Sequence, residues 1–103
     1  MDVLYVEATP QDADLAKRFL LEHAPHIHLD IVEMQPEAEM RLDGKSYDLV
    51  LADLKLPKGD GLSLLAYIRA KGIPVAVVII TGSGDEESVI TSLRAGADDY
   101  VIK

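Results

Sequence analysis

The sequence predicts an α/β protein built on a doubly wound parallel β-sheet with helices on both faces. Strand-like and helix-like segments alternate along all 103 residues, and parallel strands need such helical crossovers. Short apolar runs bounded by Gly, Pro or Asp indicate buried strands. Polar side chains follow these runs, at the strand ends where open α/β sheets bind ligands. Without a linker-like tract or an internal repeat, one domain is expected.

The first strand and helix are indicated by an apolar run followed by helix-start residues. A strand is predicted over 3–6 and a helix over 10–24. Thr9 is a capping residue, Pro10 suits the first helical position, and Asp12 favours the positive end of the helix dipole. Helical spacing predicts one buried stripe, formed by Leu15, Ala16, Phe19 and Leu20.

The next three elements are predicted from alternating apolar and polar residues and from Pro and Gly residues at helix ends. Apolar and polar residues alternate over 27–32, which is typical of an edge strand with one more exposed face. A short helix over 36–42 can start at Pro36, and Gly44 can end it in the left-handed conformation. A third strand is predicted over 49–52.

The remaining predicted elements continue the alternation of strands and helices. A helix over 62–70 is closed by Gly72, a β-branched strand covers 75–81, and a last strand covers 100–102. Between these strands a helix closed by Gly96 is predicted. Its capping residues are Ser83, Gly84, Asp85 and Glu86, and its buried stripe is Val89, Ile90 and Leu93. Because the last strand should be buried, even covering of the sheet requires one more helix, and we expect the chain to be truncated before it.

Composition narrows the functional classes. A net charge of -8, one Phe and no Trp argue against direct binding of nucleic acid. The absence of Cys excludes disulfides and thiolate metal sites. The longest apolar run, 75–80, is too short to cross a membrane, and no signal peptide pattern appears. We therefore expect a soluble cytoplasmic domain without a membrane or nucleic-acid partner.

Four polar residues follow predicted strands at one edge of the sheet: Glu7, Asp53, Thr81 and Lys103. If the strand order is the flavodoxin-like 2-1-3-4-5, strands one and three are neighbours at the switch point, and Glu7 and Asp53 face a shared crevice. Two carboxylates suit Mg²⁺, which prefers oxygen ligands and often bridges to a phosphoryl group. Asp53 beside a metal, a lysine and a hydroxyl could attack phosphorus and become an acyl phosphate.

Five motifs in order and spacing make the chain resemble the receiver domain of two-component response regulators, from Val3 to Lys103. These motifs are Val6-Glu7 with Thr9-Pro10, the run Asp48 to Asp53, Pro57 with Asp60-Gly61, Ile79 to Gly82, and Ala95 to Lys103. The resemblance implies that residues 1–103 are a receiver domain lacking the family's final helix. It also implies an activity limited to self-phosphorylation and slow autodephosphorylation.

The resemblance assigns a role to each matching residue. Asp53 is the expected phosphoacceptor, Glu7 is the first acidic metal ligand, and the backbone carbonyl of Lys55 is a further ligand. Thr81 and Lys103 are expected beside the phosphoryl group, and Thr81 forms a switch pair with Tyr100. The implied partners are a histidine kinase or phosphotransfer protein and an output domain or downstream protein; a homodimer stays an open alternative.

One residue departs from the family pattern: Ala8 stands where the family usually has a second acidic metal ligand. A methyl group cannot coordinate Mg²⁺, so we expect weakened metal binding and slower phosphoryl transfer. Asp12, one helical turn onward, could compensate, but its position favours a helix-capping role. Ala8 also keeps open a pseudo-receiver that serves only as a protein interaction module.

Other sites are disfavoured by the sequence. The three histidines straddle a helix end and a strand, so no metal site is assigned there. The segment 82–84 lacks the glycine pattern of a nucleotide-binding loop. A haloacid dehalogenase-like phosphatase would carry a second acid two residues after its nucleophile, where this chain has Lys55.

Overall fold

A computed structural model describes residues 1–82 and 86–102 of the chain. Strands and helices alternate throughout these residues, as the sequence predicts. The elements are β1 (Asp2–Val6), α1 (Pro10–His23), β2 (His28–Val32), α2 (Gln35–Gly44), β3 (Leu49–Asp53), α3 (Gly61–Ala70), β4 (Ala76–Thr81), α4 (Glu86–Arg94) and β5 (Asp99–Ile102).

The five strands form one parallel sheet in the order β2-β1-β3-β4-β5. This order confirms the flavodoxin-like fold class, with β2 as an edge strand. Since β1 and β3 are neighbours although α1, β2 and α2 separate them in sequence, the switch point lies between their carboxyl ends.

The main core lies between one face of the sheet and helices α2 and α3. Alternate residues of β1, β3 and β4 point to this face, because side chains along a strand alternate between the two faces. The fully buried members include Leu4, Val6, Val50, Ala52, Leu64, Leu65, Ile68 and Ile79. This tightly packed layer holds β1, β3 and β4 in place, and therefore the carboxyl ends of these strands as well.

The opposite face is covered more thinly, and here one prediction is wrong. Helix α1 lies over β1 and β3 and leaves an open groove of about 590 Å³ lined by Tyr5, Asp12, Leu15, Ala16, Phe19, Leu20 and Leu51. Leu15 and Phe19 were expected to be buried but are 69% and 58% exposed. The apolar stripe does face the sheet, but no described element closes the outer side of the groove.

The α4 and β5 region is also more exposed than predicted. Ile90 and Leu93 are exposed, whereas the small side chain of Ser92 is fully buried. Val101 and Ile102 are both 51% exposed, because β5 is an edge strand of the sheet. The proposed capping residues Ser83 to Asp85 lie outside the described residues.

Two glycines end helices as predicted, and a third does not. Gly72 and Gly96 adopt positive φ values of 67° and 107°. Gly44 does not, because it is the last residue of α2 and the chain continues directly into extended backbone at Lys45. The Lys45 backbone N–H donates to the Arg41 carbonyl at 3.0 Å, so the helix end needs no left-handed residue.

A polar cluster joins β2 to the segment that precedes β3. The Tyr47 hydroxyl donates to the Asp30 carboxylate at 2.6 Å, and the Lys45 ammonium lies 3.1 Å from the same oxygen. The hydrogen bond from Tyr47, with the added attraction of Lys45, lowers the pKa of Asp30. This cluster therefore stabilises the fold while Asp30 is ionised.

Arg69 connects the end of α3 to the turn before β5. Its guanidinium donates to the Gly96 carbonyl at 3.0 and 3.1 Å and to the Val75 carbonyl at 2.9 Å. It also pairs with the Asp98 carboxylate, which accepts the Val77 backbone N–H. A planar, forked guanidinium suits several fixed acceptors at once.

Candidate phosphoacceptor site

Two carboxylates stand side by side at the switch point. Val6 and Ala52 are register partners, so Glu7 and Asp53 follow them at the same level of neighbouring strands. Glu7 is 1% exposed and Asp53 is 7% exposed. The topology therefore brings together the two acids that the sequence singles out, at a largely buried position.

Glu7 is held by its own strand and by the start of α1. Its backbone N–H continues the ladder to the Val32 carbonyl at 2.9 Å. The Tyr5 hydroxyl donates to Glu7 Oε2 at 3.1 Å, and the Thr9 backbone N–H donates to Oε1 at 3.0 Å. Thr9 occupies the predicted cap position of α1, but its side chain makes no capping hydrogen bond.

The loop between β3 and α3 is shaped by close backbone contacts to Asp53. A Cβ on Gly61 would lie 2.5 Å from the Asp53 carbonyl oxygen. The Gly61 N–H donates to the Leu54 carbonyl at 2.9 Å, and Lys55 forms an isolated bridge with Asp60. This narrow turn returns the chain to α3 directly beside the phosphoacceptor candidate and places Lys55 within the turn.

The same loop is fixed by a residue that the sequence did not indicate. Gln35, at the start of α2, accepts the Asp60 backbone N–H at 3.2 Å through its amide oxygen. Its side chain also packs against Gly59, whose φ of 121° favours glycine. Asp60 caps α3, because its carboxylate accepts the Ser63 N–H at 2.6 Å. Hence α2 helps to set the conformation of the loop.

Two further predicted residues, Thr81 and Tyr100, lie on β4 and β5. Thr81 ends β4, is 5% exposed, and its hydroxyl donates to the Gly82 carbonyl at 3.3 Å. Tyr100, its expected switch partner, is 37% exposed on the neighbouring strand, with Ile79 as its register partner. Lys103 lies outside the described residues.

The oxygen atoms available at this site suit Mg²⁺, although Ala8 removes one of the acidic ligands that the family usually has. Glu7 and Asp53 offer carboxylate oxygens, the Lys55 carbonyl lies in the adjoining loop, and Ala8 offers only a methyl group. Across residues 1–82 and 86–102, no group of three His, Cys, Asp or Glu residues is arranged to hold a metal. Mg²⁺ keeps several waters and is commonly bound through only one or two carboxylates, so this pair fits it.

Comparison with known proteins identifies the family. Residues 3–103 match the family model of the response regulator receiver domain. The swarming motility regulation protein RssB of Serratia marcescens is 38% identical over the whole chain, which spans 46% of that protein. The chain spans less than half the length of the curated relatives that it matches first. The chain therefore belongs to the receiver domains of two-component response regulators.

Solved structures agree with this assignment. The receiver domain of a Luxo repressor protein from Vibrio parahaemolyticus superimposes with a TM-score of 0.91 at 28% identity, covering 99% of this chain and 77% of that chain. The Mn²⁺-bound response regulator Rcp1 gives a TM-score of 0.89 at 29% identity, covering 99% and 80%. Among the described residues, none of the helices has the length and apolar character needed to cross a bilayer.

Proposed function

We propose that residues 1–103 form one receiver domain that accepts a phosphoryl group on Asp53. The donor would be a phosphohistidine on a histidine kinase or phosphotransfer protein. The observation that carries this proposal is the nearly buried Asp53 carboxylate at the switch point, beside the buried Glu7. Membership of the receiver family supports it independently.

The reaction transfers a phosphoryl group from a nitrogen of the donor histidine to a carboxylate oxygen of Asp53. A carboxylate oxygen of Asp53 attacks the phosphorus, and a phosphorus–oxygen bond forms. The phosphorus–nitrogen bond breaks, and the donor imidazole keeps the electron pair and takes a proton from solvent. The Thr81 hydroxyl is proposed to donate to a phosphoryl oxygen, and Lys103 is proposed to neutralise charge there.

The metal would be held by few protein atoms. We assign it to the carboxylates of Glu7 and Asp53 and to the Lys55 carbonyl. When bound, Mg²⁺ supplies positive charge that stabilises the transferring phosphoryl oxygens. Since Ala8 contributes no ligand, we propose that Mg²⁺ binding is weak.

Phosphorylation is proposed to alter the surface formed by α4 and β5. Thr81 ends β4, and Tyr100 lies on the adjoining edge strand. A shift of this pair would change the face offered to an output domain or downstream protein. The exposed side chains of Ile90 and Leu93 belong to the same region.

Ala8 supports a second candidate, a pseudo-receiver that acts only as an interaction module. If the missing ligand prevents phosphoryl transfer, the fold would still present its helical faces to a partner. The two candidates differ in one observable, which is whether the native chain becomes phosphorylated.

Intact-protein mass spectrometry distinguishes the candidates. The native chain, Asp53→Asn and Ala8→Asp are incubated with acetyl phosphate and Mg²⁺. The phosphoacceptor proposal expects one added phosphoryl group on the native chain, faster addition to Ala8→Asp, and none on Asp53→Asn. An inert native chain with a reactive Ala8→Asp variant would instead establish the pseudo-receiver, and modification of Asp53→Asn would refute the assignment to Asp53.

A further inference from the structure

Tyr5 lies on the same face of the sheet as the two acids of the candidate site, opposite the main core. It lies two residues before Glu7 in the β1 strand, so both side chains leave the same face of the sheet. Tyr5 is 6% exposed, and its ring lines the groove beneath α1. Its hydroxyl reaches past the end of the strand and donates to Glu7 Oε2 at 3.1 Å.

Both oxygens of the Glu7 carboxylate are thus anchored by the protein. Oε2 accepts from the Tyr5 hydroxyl, and Oε1 accepts from the Thr9 backbone N–H at 3.0 Å. Two donors on different oxygens restrict rotation of the carboxylate about its last torsion angle. Of these donors, only the Tyr5 hydroxyl can be removed by a side-chain substitution.

The orientation of Glu7 matters more in this chain than where a second acid is present. Ala8 supplies no oxygen, so Glu7 and Asp53 are the two carboxylates at the adjacent strand ends. Hydrogen bonds behind a metal ligand commonly set its orientation, and their loss typically lowers metal affinity by about 10- to 100-fold.

We propose that Tyr5 is a positioning residue that holds the Glu7 carboxylate ready for a divalent cation and offsets part of what Ala8 removes. This inference rests on the proposed function of the Asp53 site. It predicts that removal of this single buried hydroxyl weakens metal binding at the phosphoacceptor site.

A simpler account gives the hydrogen bond no role in metal binding. Buried tyrosine hydroxyls usually find a partner, and Glu7 would then merely satisfy Tyr5. The two accounts agree on the stability of a Tyr5→Phe variant. They disagree on its metal affinity and on whether its effect depends on Glu7.

Mn²⁺ binding measured by electron paramagnetic resonance of the free ion tests the proposal without any phosphoryl donor. The variants are Tyr5→Phe, Glu7→Gln and the double variant, each checked for a native-like thermal transition. Tyr47→Phe is the matched control. Tyr47 is also 6% exposed, and its hydroxyl also donates to a carboxylate, that of Asp30. Tyr47 precedes β3 and Asp30 is the register partner of Leu4, so this pair does not lie at the carboxyl ends of the strands.

We expect Tyr5→Phe to raise the Mn²⁺ dissociation constant about 10-fold or more and Tyr47→Phe to leave it unchanged. In the Glu7→Gln background, Tyr5→Phe should have almost no further effect, because its role is exerted through the carboxylate. Equal affinities of the native chain and Tyr5→Phe would overturn the inference alone. A native chain that binds no Mn²⁺ at millimolar concentrations would overturn both the inference and the metal-dependent function.

Discussion

The contact between Gly61 and Asp53 gives a sharp test of how the phosphoacceptor strand is packed. A Cβ at Gly61 would lie 2.5 Å from the Asp53 carbonyl oxygen and 3.2 Å from both the Asp53 carbonyl carbon and the Leu54 Cα. All three atoms belong to the backbone, so no side chain can swing aside. The Gly61→Ala substitution must therefore displace either the end of β3 or the start of α3.

The expected destabilisation follows from two opposing contributions. Overpacking of a rigid site costs roughly 1–3 kcal/mol, whereas the reduced backbone freedom of alanine in the unfolded chain returns about 0.5–1 kcal/mol. We expect a net loss of about 1–2 kcal/mol in the free energy of unfolding, which is a fall of roughly 5–15 °C in Tm for a chain of this size.

Differential scanning calorimetry with Gly44→Ala as a control separates the clash from the general effect of replacing glycine. Gly44 also lies in a helix, and a Cβ there would meet nothing within 4 Å. We expect this control to raise Tm by a few degrees, corresponding to about 0.5–1 kcal/mol. If Gly61→Ala melts at or above the native temperature, the close approach of α3 to Asp53 is not a packing constraint.

Two further predictions concern side-chain networks away from the site. Tyr47→Phe should lower the free energy of unfolding at pH 7 by about 1–2 kcal/mol. The Tyr47 hydroxyl stabilises the ionised form of Asp30 and so lowers its pKa. As the pH falls below about 4 and then through this lowered pKa, Asp30 becomes protonated, and the difference in stability between the variant and the native chain should shrink. Urea titrations at pH 7 and pH 3 measure the change, and a pH-independent difference would contradict the role of Asp30. Arg69→Lys should cost about 1–3 kcal/mol in the same measurement, since an ammonium cannot reproduce the forked contact with Gly96; an unchanged urea midpoint would show that this contact is not stabilising.

The fold could be predicted because its signals are local in sequence. Apolar runs, helix-start residues and the glycines at 72 and 96 mark the elements, and strand–helix alternation implies a parallel sheet. The exposure of Leu15 and Phe19 could not be predicted in the same way. Helical spacing shows which side of α1 faces the sheet, but it does not show what covers the outer edge of that side.

The adjacency of Glu7 and Asp53 was predicted, but the contacts that support them were not. Strand ends and topology bring Glu7 and Asp53 together, and the spacing of Tyr5 and Glu7 on one strand face could have indicated their contact. The contact of Gln35 with the backbone of Asp60 joins residues 25 positions apart. No sequence period connects a helix start to a loop, so only the packed structure reveals it.

Helix α3 joins two contacts that have been described separately. It begins at Gly61, which packs against the Asp53 carbonyl, and Arg69 in its last turn donates two hydrogen bonds to the Gly96 carbonyl. A ten-residue helix is about 15 Å long, and its hydrogen-bonded backbone resists compression along its axis. We expect a displacement of the Asp53 strand end to be felt first at the start of α3, the helix that also carries Arg69. Helix α3 thus makes packed contacts both with the phosphoacceptor candidate and with the turn before β5, by a route that does not include Thr81.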